Sequence, residues 1–193
     1  VIWGSYDPYS EFDPVDVSKA DRSALRAAFS RMLAAKDSRL QALVELASVN
    51  CVAVDMTDAG IQALNEFLVR ELISEPPSRF PSYQWRSVTG DIAIFLGESV
   101  IMRRPALRWE LNTFTRSEVG YHTPVITGYG PEVPRTFNWA PFPIVSGYVI
   151  QCVNAGRPWP IVIQDVTVLH KDSPVDASLF VRAVTAAMDF APV

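Results

Sequence analysis

The sequence predicts an α+β fold: a single domain over 1–193 with five or six helices around a small antiparallel sheet. Three observations predict it. Apolar residues recur at helical spacing in several separate segments, and one stretch, 107–112, drops to a period of two beside a β-branched stretch that can pair with it. The strands also do not alternate one for one with helices, as βαβ units require. With 193 residues, 49% of them apolar and 20% charged, the chain should bury about 70% of its unfolded surface without staples or metals.

The first stretch, 1–17, sets Trp3, Tyr6, Tyr9 and Phe12 among Asp and Pro with no sustained period, and reads as an extended arm whose aromatics pack onto the body. From Asp21 onward, Leu25, Phe29, Met32 and Leu33 form one helical stripe, with Arg22, Arg26 and Arg31 on other faces. Asp37 has the character of an N-cap for a second stripe of Leu40, Leu43, Val44 and Ala47, so this region forms two helices or one kinked helix. Thr57 caps the next helix, with Asp58 in the first turn where the dipole favours negative charge, and Ile61, Leu64, Leu68 and Leu72 share one side. A proline-rich connection, 75–84, ends it.

The segment 90–104 is apolar on almost every face and belongs at the centre of the fold. Gly97 in its middle costs about 1 kcal/mol of helix propensity relative to Ala, which implies the close approach of another backbone. Arg103 and Arg104 suit the C-terminal end, and Pro105 closes it. In the strand that follows, Leu107, Trp109 and Leu111 face inward, opposite Arg108, Glu110 and Asn112. The stretch 123–129 is its antiparallel partner, joined through 115–120.

A long ordered loop, 128–143, rich in Gly, Pro and aromatics, leads to a helix after Pro143 bearing Val145, Tyr148, Val149, Cys152 and Val153 and stopping at Asn154. The β-rich run 159–169 has Pro160 at its head, as an edge strand or an extended connection would. A last helix takes Ser173 as cap, Pro174 at its first position and Asp176 in its first turn, with Phe180, Ala183, Val184, Ala187 and Met188 on one face.

Charge and motifs exclude more than they assign. Seventeen Lys and Arg against 21 Asp and Glu give a net charge of -4, so no bulk positive field exists to hold nucleic acid or an anionic membrane. The longest apolar run, 92–96, is far short of the ~20 residues that span a bilayer, and a soluble, cytoplasmic chain is expected. The start at Val1 rather than Met fits a trimmed or processed segment. Cys51 and Cys152 match no CxxC or zinc spacing; buried free thiols are expected, and a disulfide stays open. There is no Gly-x-Ser-x-Gly elbow, no Ser-x-x-Lys and no phosphate-cradling loop, and neither cofactor nor metal is expected.

The only imidazoles are His122 and His170, each weighed as a solvated or locally bonded residue at a strand end. Of the acid pairs Asp13 and Asp16, Asp55 and Asp58, and Glu71 and Glu75, capping accounts for the second and a solvated helix end for the third. Glu98 is the sharpest residue, read as the only acid inside an apolar helix. It is either a general acid or base or a ligand-binding acid, or, as the favoured reading, the partner of Arg103, Arg104 or Arg108. Trp109 should face inward, whereas Trp139 and Trp159, in proline-bearing segments, are the better candidates for exposure. No residue is assigned as catalytic; Glu98, Arg104, His122, Trp139 and Trp159 stand as a candidate pocket or partner surface.

The run Gly90-Asp91-Ile92-Ala93-Ile94-Phe95-Leu96-Gly97-Glu98-Ser99, then Arg103 and the strand Leu107-Arg108-Trp109-Glu110-Leu111, resembles small uncharacterised bacterial α+β domains in which a helix bearing Leu-Gly-Glu leads into a strand bearing Trp. Some of those domains sit beside polymorphic or contact-dependent toxins as immunity proteins. The resemblance covers about twenty residues, carries over no catalytic residue, and implies a non-catalytic domain that binds and neutralises a toxin. An acidic chain of this kind would meet a basic protein partner with complementary potential. The alternative is a small hydrolase or ligand-binding enzyme using Glu98 with His122 or His170, and a third reading is a structural domain of a larger protein.

Overall fold

A computed structural model describes residues 1–9, 20–75, 81–113, 120–131, 133, 137–155, 159–163, 166–170 and 175–191. The Asp21 carboxylate accepts the Ala24 N–H at 2.8 Å and opens helix α1, Arg22–Val49, which runs as one continuous element. Asp37 therefore caps nothing: its backbone is helical and its side chain is 94% exposed. The buried face is Leu25, Ala28, Met32, Arg39, Leu43 and Leu46, while Leu33 and Val44, expected in the stripe, are exposed. Helix α2, Asp58–Ile73, starts as expected, with Thr57 Oγ1 accepting the Gly60 N–H at 3.2 Å and Ile61, Leu64, Leu68 and Leu72 fully buried.

Helix α3, Tyr83–Arg103, begins earlier than its apolar run, because Ser82 Oγ accepts the Trp85 N–H and adds nearly two turns ahead of Gly90. It is buried on every side from Trp85 to Val100 apart from Arg86, Gly90 and Glu98, and packs against α1 and two later helices. Its two buried hydroxyls bond back within the helix, Thr89 to the Trp85 carbonyl at 2.6 Å and Ser99 to the Phe95 carbonyl at 2.8 Å, so neither is left unsatisfied.

Strands β1, Arg108–Leu111, and β2, Pro124–Thr127, pair antiparallel with Trp109 opposite Ile126. Trp139 adds an isolated bridge to the other edge of Ile126, through bonds of 2.8 and 3.0 Å. Helix α4, Pro141–Val153, starts two residues before Pro143 and buries Pro141 and Phe142 in its first turn, which shortens the predicted loop. The β-rich run is a hairpin of β3, Trp159–Ile163, and β4, Val166–His170, in register from Trp159 opposite His170 to Ile163 opposite Val166. The chain thus carries two separate two-stranded sheets where one sheet was expected, because the run is long enough to turn back on itself.

Helix α5, Leu179–Asp189, starts later than expected, with Ser178 at its N-cap. Asp176 lies ahead of the helix and accepts the Ser178 N–H and hydroxyl at 3.0 and 2.8 Å, in a local turn that precedes the first helical residue. Ser173 and Pro174 lie outside the described residues, as do Phe12, most of the 115–120 connection and the middle of 75–84. One hydrophobic core, from Leu25 to Ala187, joins all five helices found among the described residues with β1 and β2. No helix among them is long and apolar enough to cross a membrane.

Gly97 is explained by a side chain rather than by another backbone. A Cβ there would lie 2.1 Å from Trp109 Cζ2 and 2.4 Å from Cη2, so the β1 indole lies directly on the α3 surface. Gly97→Ala should destabilise the chain by about 1–3 kcal/mol, since overpacking outweighs the propensity gain of about 1 kcal/mol. A urea midpoint equal to or above that of the parent would refute this placement of the indole.

Candidate functional site

Seven residues separate Met32 from Arg39 and Arg39 from Leu46, so a guanidinium occupies a position that the α1 pattern reserves for the core. On α3, Ser87 and Asp91 are one turn apart and face the same way; both are buried, Asp91 to 1% exposure. Arg39 meets the Asp91 carboxylate with two bonds, Nε to Oδ1 at 2.9 Å and Nη2 to Oδ2 at 2.6 Å. This fork-on-carboxylate geometry is the one in which a charged pair is strongest.

The N-terminal arm completes the cluster. The Tyr6 phenol donates to Asp91 Oδ2. Its single proton being spent there, the Ser87 hydroxyl must donate to the phenol oxygen, 2.9 Å away, and Ser87 in turn accepts the Tyr9 N–H at 2.6 Å. Arg39 Nη1 donates to the Asp7 carbonyl at 2.9 Å, and the guanidinium stands 5.1 Å from the Tyr6 ring centre and 5.3 Å from that of Tyr9. A directed chain of bonds therefore runs from the Tyr9 amide through Ser87 and Tyr6 to Asp91, and from Arg39 to both Asp91 and Asp7.

Burial pushes the Asp91 carboxyl above its ordinary value, while the hydrogen bonds and charge of Arg39 and the bond from Tyr6 pull against it. Burial, and after it the neighbouring Asp91 charge, raises the Tyr6 phenol. Burial disfavours the Arg39 cation, but its bond to Asp91 and the opposite charge there outweigh this and hold the proton more tightly than usual.

Glu98 is not the only acid in its helix: Asp91 is deeper. Glu98 is 15% exposed, and its two oxygens take Lys36 Nζ and the Trp109 indole N–H, each at 2.7 Å. The expected arginine partners are engaged elsewhere. Arg103 bonds the Met56 carbonyl and Asp58, both at 2.8 Å; Arg108 pairs with Glu110; and Arg104, at the α3 C-cap, donates to the Arg103 carbonyl at 3.1 Å. Lys36 and Arg39 on α1 meet Glu98 and Asp91 on α3 in reversed order, so the two helices run antiparallel where they touch.

The other predicted positions are scattered. His122 has a left-handed backbone (φ 65°), stacks on Tyr121 at 3.8 Å and donates its N–H to the Asn112 carbonyl at 2.7 Å. Trp139, expected to be exposed, is buried at 7%, because its bridge to Ile126 draws it onto the sheet. Trp159 and His170 are backbone partners at the open end of the β3–β4 hairpin, and their side chains lie outside what is described. Of the predicted set, only Glu98 shares a bond with a core aromatic, Trp109, which through Ile126 adjoins Trp139.

The acid pairs resolve into local roles. Asp55 accepts the Thr57 N–H at 2.9 Å and its hydroxyl, bonds that hold the carboxyl below its usual value. Glu71 takes Arg70 at 2.8 Å and Glu75 takes the Trp85 indole at 3.1 Å, so neither acid at this helix end is merely solvated. Asp13 and Asp16 lie outside the described residues. Among the described residues no group of three or more His, Cys, Asp or Glu is placed to hold a metal ion.

Both cysteines are free, and Cys51, expected to be buried, is exposed at a left-handed position (φ 60°) just past α1. Cys152 is buried, and burial pushes its thiol up to about 12. Its neighbour Tyr148 donates to the Asp176 carbonyl at 2.6 Å and accepts from Asn65 at 3.1 Å, which ties α4 to α2 and to the approach of α5.

Sequence reasoning missed Arg39, Ser87, Asp91 and the role of Tyr6. The available signal was a charge at a core position on each of two helices, Arg39 between Met32 and Leu46 and Asp91 beside Val88 and Ile92. No protein-family model matches the chain, and no curated protein or solved structure matches it either.

Removing one partner of the buried pair leaves an uncompensated charge, so Asp91→Ala should cost about 3–5 kcal/mol in urea unfolding, and the double change Arg39→Met with Asp91→Leu should recover much of that loss. Equal destabilisation by the single and double changes would contradict the pairing. Iodoacetamide at pH 9 should modify Cys51 alone in the folded chain and both thiols in urea, because Cys152 is inaccessible and remains protonated far above that pH. Native labelling of Cys152, read by mass spectrometry, would disprove its burial.

Proposed function

We propose that this chain is a non-catalytic binding protein of the immunity type, one that neutralises a basic bacterial toxin by association rather than by chemistry. The observation that carries the reading is the state of its two internal acids. Glu98 has both oxygens engaged, by Lys36 and the Trp109 indole, and Asp91 is engaged by Arg39 and Tyr6. A general acid or base must change its proton or its partner during turnover, and these carboxylates would do so at the expense of contacts that hold α1, α3 and β1 together.

Further support comes from the acidic balance of the chain, -4 overall, and from carboxylates such as Asp37 that lie in solvent on the outer face of α1. A surface of this sign accelerates encounter with a cationic protein and does so less as salt rises. The resemblance of 90–111 to domains found beside toxins points the same way.

The test is growth rescue. The basic protein encoded next to this chain should arrest growth when expressed alone and be neutralised when the chain is co-expressed, with an association rate that falls as ionic strength rises from 50 to 500 mM, on the order of tenfold. Absence of a toxic neighbour together with absence of any co-purifying protein would end this reading. Glu98→Gln should leave rescue intact, whereas an enzyme using Glu98 would lose its activity.

A further inference from the structure

The arm has the contacts of a bound peptide. Its only backbone–backbone bond among the described residues is internal, from the Tyr6 N–H to the Trp3 carbonyl at 3.0 Å. Everything else that fixes its main chain is a side chain of the body. Asn50 accepts the Ile2 N–H at 2.9 Å and donates to the Ile2 carbonyl at 2.8 Å, Arg39 takes the Asp7 carbonyl, and Ser87 takes the Tyr9 N–H.

Five residues of extended chain from Ile2 to Asp7 span about 16 Å, and eleven residues of helix from Asn50 back to Arg39 span about the same, so the arm lies stretched antiparallel to α1. Only two of its side chains are read closely. Trp3 stands edge-on to Trp85 at 5.3 Å, and Tyr6 puts its hydroxyl between Ser87 and Asp91.

The seat, by contrast, belongs to the body. Trp85, Ser87 and Asp91 are on α3, Arg39 is on α1, and the two-bond ion pair between the helices needs nothing from the arm. Departure of the arm would leave the pair intact and admit water to charges that burial now disfavours. The seat is therefore preformed, and it reads an extended main chain with an aromatic residue followed three positions later by a tyrosine.

We infer that the α1–α3 seat is a docking groove for an extended segment of a partner protein, in which a tyrosine hydroxyl enters between Ser87 and Asp91 and an aromatic ring stands against Trp85, with arm 1–9 as the built-in competitor. The inference rests on the reading of the chain as a binding protein and names the surface that would do the binding. A tethered arm competes at the millimolar effective concentration typical of short linkers, so the groove is open only to a ligand that beats it.

The experiment uses the full chain and a fluorescent peptide with the sequence of residues 1–9. Trp3→Ala with Tyr6→Phe weakens the tethered arm and leaves the groove, so the labelled peptide should bind that variant about tenfold more tightly than the parent. Adding Ser87→Ala to the variant should remove the gain. In the parent, hydrogen exchange at the Ile2 and Tyr9 amides should proceed by local opening, faster than at the α3 amides.

Arm amides that exchange only with global unfolding, or no peptide binding to the folded variant at about 1 mM, overturn the groove. A neutralised toxin that the peptide does not displace also overturns it, while leaving the binding-protein reading in place. Peptide binding without any toxic neighbour supports the groove and removes the toxin-directed reading.

Discussion

A charge placed inside a protein must be answered where it stands, and the Arg39–Asp91 pair imposes that condition on much of this chain. An uncompensated carboxylate at the Asp91 position would cost several kcal/mol, a large share of the 5–15 kcal/mol typical of a domain's total stability. The guanidinium answers it only if α1 and α3 lie antiparallel at one register, since Nε and Nη2 must reach both oxygens at once. The third face of the guanidinium and the second lone pair of Asp91 Oδ2 then need partners of their own. The arm supplies them as the Asp7 carbonyl and the Tyr6 hydroxyl, and in doing so it acquires a fixed path across the helices.

Trp109 plays a similar part on the opposite flank of α3. Its ring fills the space that Gly97 leaves open, its N–H bonds Glu98, and its face meets the edge of Phe142 at 6.3 Å in the first turn of α4. The strand carrying it pairs with Ile126, and Ile126 binds Trp139 on its other edge, so a small sheet, two helices and a loop residue are located by one indole. Glu98 lies between the two systems, bonded to Trp109 on one side and to Lys36 of α1 on the other.

Much of the fold was legible in the pattern of the sequence, and the parts that were not have physical reasons. Helix α2 was legible down to its cap because Thr57, Asp58 and the Ile61–Leu72 stripe all follow local rules. Helix α3 was legible as central because it is apolar on every side, but its start was missed, since Ser82 and Trp85 precede the hydrophobic run. Asp37 looked like a cap only because an acid in mid-helix has no local signature of exposure. The start of α5 moved because Asp176 and Ser178 satisfy one another in a turn, and competition of this kind between side chain and helix leaves little trace in periodicity. The least legible part was the arm's seat. Its members are 30 to 85 positions apart in sequence, as in the bonds from Arg39 to Asp7 and from Tyr6 to Asp91, and only the folded helices bring them together.

The same separation accounts for the difficulty of locating chemistry. A search for reactive groups looks for an acid that stands out against its neighbours, and Glu98 does so because the residues around it are apolar. Standing out in sequence measures the cost of burial and says nothing of what compensates it. In this chain the compensation is complete at both internal acids and comes from cations on α1, with a phenol or an indole added. An acid so provided for is held in one protonation state and one position, which suits a surface that must keep its shape while another molecule binds. The contacts most easily exchanged are those of the arm, whose main chain is held by three body side chains rather than by a ladder of backbone bonds, so any change of partner is expected to begin there.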